Sequence, residues 1–530
     1  MKNKIWPLFF VSLLIGCNNI NFKSNEDFSY ALTTYEENQQ TKPLTMQTLY
    51  ANQGFPHLSS TTTQKALIIP LGFLDDNLKD IQSEENLNRI DKAFNGSEEE
   101  MNALGGYCSV STYYNKSSYN KISFEADILP NWLIYEGTSN DFYQTYKNKP
   151  ILGLGAVDYI KARYNAEYNK NEHGALGKDA KPLSYYDQDN DGFVDFLWIV
   201  YSKSTGTLND WWAYVSYTEY LAKENDTEIQ TFGFASIDWL DQGYNGYDTH
   251  IFIHETGHAY GLLDYYDYSG NWSPLGKLDM MDNNIGDHNS FSKFILGWLK
   301  PLIVDDSSII TLKSSNLYGE CFIIPSPNYN KTAFDEYLMV EFLTPEGLLD
   351  KKYNTYQNIT GFTKPGIRIL HCDGRVFLDD HDTYLANEPQ KGKAFRLSNT
   401  KGGRVGIKND SDYFLRENSQ KGYYSLLSTI EPEIKDKSWL NEYNYLATDN
   451  SLFQKNDEID FSKKDFPQAK YLPSGTNLWN KAKTINGWKN STTQNQEINY
   501  DFTINYSLKV LDIYLDENNF YKAEIQVIKK

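Results

Sequence analysis

The stretch that most restricts what this chain can become runs from Ile251 to Asp267, IFIHETGHAYGLLDYYD. It carries His254, Glu255 and His258 in the order H-E-x-x-H, followed by Gly261 and Asp264. Residues four apart share one face of an α-helix, so His254 and His258 present two imidazoles to one ion. Glu255 stands one step round the same helix, close enough to a water beside that ion to take its proton. Ile251, Phe252, Ile253, Ala259 and Leu262 are apolar, which predicts a helix buried around its site. The chain has only eight histidines, so a pair at this spacing is informative. The plainer reading is a core helix whose two histidines are merely hydrogen-bonded.

At 530 residues the chain exceeds the size of one compact core, and two or three domains are expected. A hydrophobic content of 40% with 15% aromatic residues excludes a disordered chain. A formal net charge of −20 argues against nucleic acid or anionic lipid as a partner. Residues 1–17 read as a targeting segment. Lys2 and Lys4 precede an apolar run, Ile5 to Ile15, that is too short to span a bilayer. It ends Leu14-Ile15-Gly16-Cys17, which resembles a bacterial lipoprotein signal and implies cleavage before Cys17 with lipid on its thiol. The alternative is an ordinary secretory peptide in which Cys17 has no role. The expectation is a chain exported to the bacterial cell envelope, facing outside the cytoplasm and held to membrane only by that anchor. Only Cys108, Cys321 and Cys372 remain after it, which is no disulfide framework. Cys321–Cys372 is the favoured pair, because both lie in strand-like segments of one region.

Residues 18–63 are polar and without period, a tether or short pro-segment. Residues 64–300 read as a first folded domain. Ala66 to Phe73 is its first buried strand, Leu87 to Phe94 and Ser109 to Tyr119 are helical, Lys121 to Ile128 alternates as a strand, and Asp141 to Tyr164 is helical again. Tyr186 to Ser202, YDQDNDGFVDFLWIVYS, places Asp187, Asp189, Asp191 and Asp195 around Gly192 and runs into an apolar strand. Oxygen ligands at alternate positions with a glycine turn suit calcium, whereas an acidic turn feeding a buried strand is the competing reading. From Pro301 the pattern changes to short alternating strands, so residues 301–530 are expected to be β-rich and sandwich-like, with a loop-rich middle at about 376–450.

Several stretches in order resemble the immune inhibitor A-like secreted metallopeptidases, a group related to the metzincins. They are ALIIPLGF, SVSTYYNKSSYNKISFEADI, DQDNDGFVDFLWIVYS, HETGHAYGLLDYYD, LDMMDNNIGDHNSFSKFILGW, YLMVEF and GIRILHCDGR. The resemblance covers roughly residues 64–375. It implies an α+β, zincin-like catalytic domain with zinc on His254, His258 and Asp264, Glu255 as general base, and Met281 in a methionine turn beneath the metal. The activity implied is hydrolysis of peptide bonds in protein or peptide substrates. Two departures stand out: the pro-segment is short or absent, and the loop YSKSTGTLNDWWAYVS lacks the family's histidine-containing pattern.

Helix geometry bears on the third ligand. Were the helix to continue past His258, Asp264 would be rotated by about 240° and lie about 9 Å further on. Gly261 tolerates the left-handed conformation that ends a helix, so the chain can turn back and bring Asp264 to the histidines. Asp267, Asp279 and Asp282 are the competing carboxylates. His288 is either a residue orienting substrate or a loop, or a surface histidine beside Asp287. Rival functions are a non-catalytic binding lipoprotein on a metallopeptidase scaffold, and a zinc hydrolase of another substrate class.

Overall fold

The computed structural model describes residues 58–76, 83–205, 211–218, 221–242, 247–266, 275–326, 329, 331–347, 349–350, 359–374, 376–379, 394–397, 426–432, 446–462, 470–471 and 502–530. The expected signal segment with Cys17, most of the polar stretch after it and Asp267 lie outside the described residues.

The first apolar run forms strand β1, Gln64–Gly72, in which every residue except Lys65 is buried. Five more strands join it: β2 (Phe124–Ile128), β3 (Leu133–Ile134), β4 (Phe196–Tyr201), β5 (Tyr214–Tyr217) and β6 (Thr231–Ser236). Their order is β2-β1-β4-β6-β5, with β3 also on β1. All the pairings are parallel except that of β5, which runs antiparallel to β6 at the end of the sheet.

Parallel neighbours need crossovers, and helices lie in those before β2 and β4, whereas β5 lies in the one between β4 and β6. Helices α1 (Glu84–Asn95) and α2 (Val110–Ser117) lie between β1 and β2; α3 (Ser139–Tyr146) and α4 (Leu152–Tyr168) lie between β3 and β4. Three of these start on a hydroxyl: Ser83, Ser109 and Thr138 accept from the backbone N–H of Asn86, Thr112 and Asp141. Because helices cover both faces, β4 needs apolar side chains in both directions, which is why FLWIVY shows no alternation. Phe196, Trp198 and Val200 join one core cluster, while Leu197, Ile199 and Tyr201 join the other. The first cluster also takes Phe252, Ile253 and Ala259 of helix α5 (His250–Ala259), the helix that carries H-E-x-x-H.

After two short helices, α6 (Met280–Asn283) and α7 (Ser290–Ile295), the chain becomes β-rich. Strands β7 (Leu302–Ile303), β8 (Cys321–Pro325), β9 (Glu336–Leu343), β10 (Gly366–Asp373) and β11 (Leu427–Ile430) form a second sheet in the order β11-β10-β9-β8-β7. A third sheet is antiparallel throughout and joins Ser308–Lys313, Tyr521–Lys529, Tyr506–Leu515 and Glu458–Asp460 in that order. The protein is mixed, with several sheets and few helices, compatible with the α+β class. Among the described residues no helix is long and apolar enough to cross a membrane.

One apolar cluster runs through both parts, holding Leu58, Phe252, Met281, Trp298, Met339 and Leu370 together. Leu58, in the stretch read as tether, donates its N–H to the Ala259 carbonyl at the end of α5, at 2.9 Å. Buried Arg368 of β10 pairs with Glu341 of β9 and donates to the Leu278 carbonyl at 3.2 Å. The second sheet is thus fastened to the segment leading into Met281.

The favoured disulfide is corrected. Cys321 lies opposite Glu341 and Cys372 opposite Tyr337, on the two flanks of β9 and four residues apart along it. That is roughly 13 Å along the strand plus about 10 Å across it, far beyond disulfide reach. Both are buried, as is Cys108, and none of the three is in a disulfide.

Candidate metal centre

Helix α5 is set in place before its ligands are considered. Its first turn is held by Asp248, whose carboxylate accepts from the His250 backbone N–H at 2.9 Å. Mid-helix, the Trp198 indole donates to Thr256 Oγ1 at 3.2 Å, and the Tyr114 hydroxyl donates to the Ile253 carbonyl at 2.6 Å. Gly257, between the two histidines of the motif, is required by packing: a Cβ there would lie 2.8 Å from Met281 Sδ and 3.2 Å from the Tyr114 hydroxyl. Met281 therefore lies directly against the helix that carries the two histidines.

The helix ends as its glycine allows. Gly261 has φ +92°, and the N–H groups of Gly261 and Leu262 donate to the carbonyls of His258 and Gly257 at 2.8 and 3.0 Å. These are the two bonds of a Schellman ending, which reverses the chain. Asp264 is thereby returned to the histidines. One of its oxygens, Oδ1, lies 2.9 Å from His254 Nε2 and 3.2 Å from His258 Nε2.

The three side chains form a group that could hold a metal ion. Each residue offers a ligand atom, and these atoms lie within 4.8 Å of one another. Donors about 2.0–2.1 Å from a tetrahedral ion stand roughly 3.3 Å apart, close to the observed spacing. Each imidazole is fixed through its other nitrogen: His254 Nδ1 donates to the Met280 carbonyl and His258 Nδ1 to the Leu262 carbonyl, both at 2.8 Å. Such second hydrogen bonds set the tautomer and aim Nε2 inward. The cluster also attracts positive charge. Burial opposes charge on His258, yet Asp264 beside it pushes its pKa up to about 9. Burial likewise favours a protonated Asp264, but His258 and His254 outweigh it and hold that carboxyl well below the usual range. A proton on imidazole here stands where a cation is wanted.

Asp279 and Asp282, the competing carboxylates within the described residues, are not part of that group. Asp279 caps α6 through the Met281 N–H and also accepts from Asn289; Asp282 accepts from the Lys277 N–H at 2.8 Å. Glu255 is buried beside the cluster. Burial raises its pKa, the two histidines oppose that rise, and its carboxylate accepts from the Val215 backbone N–H of β5. The Tyr217 hydroxyl donates to the His258 carbonyl at 3.3 Å, a second tie between β5 and the helix. This strand lies in the segment noted for its missing histidine pattern, and sequence reasoning passed over it. The only signal was composition, two tyrosines and a valine in Tyr214-Val-Ser-Tyr217, residue types that favour strands.

The surface reading of His288 is corrected. Its residue is 3% exposed, its ring lies 5.3 Å from Tyr113 and 5.9 Å from Trp298, and neither ring nitrogen has a partner among the described residues. Burial, helped by the Lys293 charge, pushes its pKa well below the ordinary value.

In the acidic loop, Asp187, Asp189 and Asp195 gather ligand oxygens within 4.8 Å, whereas Asp191 is not part of that group. Asp191 instead accepts from the Phe193 N–H at 2.9 Å. Asp187 accepts from the N–H groups of Asp191 and Gly192, both at 3.0 Å, and Gly192 takes φ +92°. Neither the comparison with family models nor that with curated proteins returned a match for the chain.

Proposed function

We propose that the chain is an exported, zinc-dependent endopeptidase with a zincin-like catalytic domain, anchored by lipid on Cys17. The observation that carries this reading is the convergence of His254, His258 and Asp264 with Glu255 on the same helix beside them. His254 Nε2, His258 Nε2 and the Asp264 carboxylate would hold the ion, leaving a fourth position open as catalytic zinc requires. When bound, zinc supplies Lewis-acid polarisation of a carbonyl and makes water reactive at neutral pH.

The chain's own residues do the rest. Glu255 takes a proton from the attacking water and passes it to the departing amine. Burial disfavours its charged form, which makes the carboxylate a stronger base than an exposed one. Strand β5, last in its sheet and tied to Glu255 through Val215, offers an extended backbone along which a peptide can lie. Met281 and Gly257 hold the helix from beneath. Asp187, Asp189 and Asp195 are proposed to hold calcium, which would stiffen the entry into β4.

The test is peptide cleavage that a chelator abolishes and zinc restores. Glu255→Gln should keep its zinc and lose about two to four orders of magnitude in rate. Near wild-type cleavage by that variant would sink the mechanism. For the anchor, mass spectrometry of the mature chain should show Cys17 as the lipid-bearing N-terminus; an unmodified Cys17 would remove that part of the proposal.

A further inference from the structure

The strand that reaches Glu255 begins at an aromatic corner. Trp211 and Trp212 precede β5 and diverge. Trp211 turns inward, edge-on to Phe73 at 5.6 Å, among the residues that cover the α4 side of the sheet. Trp212 stays 49% exposed and stands edge-on to Trp239, with ring centres 5.1 Å apart at 88°. Trp239 comes from the turn Ile237–Asp241 that follows β6. It packs, with Val215, against the core cluster that also contains α5. The indole pair therefore lies on the face of the sheet that bears His254 and Glu255.

Two further features point to a ligand. The Trp239 indole N–H is buried and has no hydrogen-bond partner among the described residues. Val215, whose N–H reaches Glu255, and Trp212, just before β5, are three residues apart, which spans at most about 10 Å. A peptide laid along β5 would keep step with it residue for residue.

We infer that Trp212 and Trp239 form a subsite for a large apolar side chain of a peptide substrate, two or three residues from the bond that is cut. The inference rests on the endopeptidase reading above and adds its specificity. Edge-to-face indoles leave aromatic surface open to an aliphatic or aromatic partner. Asp238 and Asp241 on the same turn disfavour an acidic one, and Arg89 is already paired with Asp241.

The zinc-loaded full chain, given a mixed peptide library, should prefer Phe, Tyr, Trp or Leu over Ala or Gly at one position two or three residues from the cut, by about 10- to 100-fold in kcat/KM. Trp212→Ala should flatten that preference at that position alone, chiefly through KM, and Trp212→Phe should restore most of it. Binding of the same peptides to Glu255→Gln, followed by indole fluorescence, is read separately from turnover. Cleavage with a preference that survives Trp212→Ala would overturn the subsite and leave the endopeptidase reading standing. Apolar peptides that bind only while Trp212 is present, without any cleavage by the wild type, would support the subsite and sink that reading. Neither cleavage nor binding would overturn both.

Discussion

The two candidate metal clusters are built on opposite principles. The His254–His258–Asp264 centre is largely buried, mixes imidazole with carboxylate, and has each ring locked by a backbone carbonyl. The Asp187–Asp189–Asp195 loop is partly exposed and all carboxylate, and it eases its own charge with backbone N–H groups of the same loop. The first is pre-organised by a helix and the core beneath it, so removing one ligand leaves the remaining pair aimed and buried. The second depends on a turn that solvent can enter, so a cation there adjusts stability more than it defines geometry. Preorganisation by the core thus separates a site suited to chemistry from one suited to bracing.

The comparison is sharpest at Asp264. Asp264→Ala should fold, retain much less than one equivalent of zinc after dialysis against a weak chelator, and lose peptide cleavage entirely, because two neutral donors hold zinc poorly. Asp195→Asn should leave zinc content and cleavage nearly intact. A full equivalent of zinc in Asp264→Ala would place the third ligand elsewhere and dissolve the contrast.

A smaller effect tests the packing that holds the helix. Gly257→Ala inserts a methyl group 2.8 Å from Met281 Sδ, so the methionine or the helix must shift. Overpacking of this kind costs about 1–3 kcal/mol. The expected result is a lower melting temperature together with weaker zinc retention. Unchanged values for both would mean that Met281 does not support the centre.

The smallest effect concerns calcium and pH. In the metal-free loop burial comes first, then the Asp189 charge, in pushing Asp191 up to about 6 and Asp195 up to about 7. Unfolded aspartates titrate near about 3.9, so between roughly pH 4 and 7 the folded chain holds more protons than the unfolded one. The loop's contribution to the stability of the metal-free protein should therefore fall as pH rises through that window and level off above it. His258, pushed up to about 9, extends the overall fall to about pH 9. Calcium at about ten times its Kd should add about 1.4 kcal/mol, with more benefit at pH 7.5 than at pH 5. A melting temperature indifferent to millimolar calcium at both pH values would return the loop to an acidic turn.

How much of this was legible beforehand depends on how far each signal reaches along the chain. The helix around His254, its ending at Gly261, the buried runs of β1 and β4, and the change to strands after Pro301 were all readable. Each rests on periodicity, capping or a glycine turn within a few neighbouring residues, where backbone hydrogen bonds are local. The assignment of Asp264 over Asp279 and Asp282 was readable only as a preference. What separates them is that Asp264 brings an oxygen to the two histidines, whereas Asp279 caps the Met281 N–H and Asp282 accepts from the Lys277 N–H.

Other features belonged to the tertiary structure alone. Nothing within Tyr214-Val-Ser-Tyr217 states that it becomes the antiparallel end of a parallel sheet, because that depends on β6 and on the helix waiting beside it. Ser308–Lys313 alternates as a strand should, yet its partner is Tyr521–Lys529 at the far end of the chain. Cys321 and Cys372 share a sheet, and only the register of β9 between them holds them too far apart to bond. His288 sits in polar sequence but is buried by rings from α2 and Trp298. Spacing along the chain could bring the two histidines and the acid to one ion, since a helix and its return turn are short-range objects. Which strand would lie beside that cluster, and which residues the core would enclose, were decided by pairings between distant segments that no local pattern encodes.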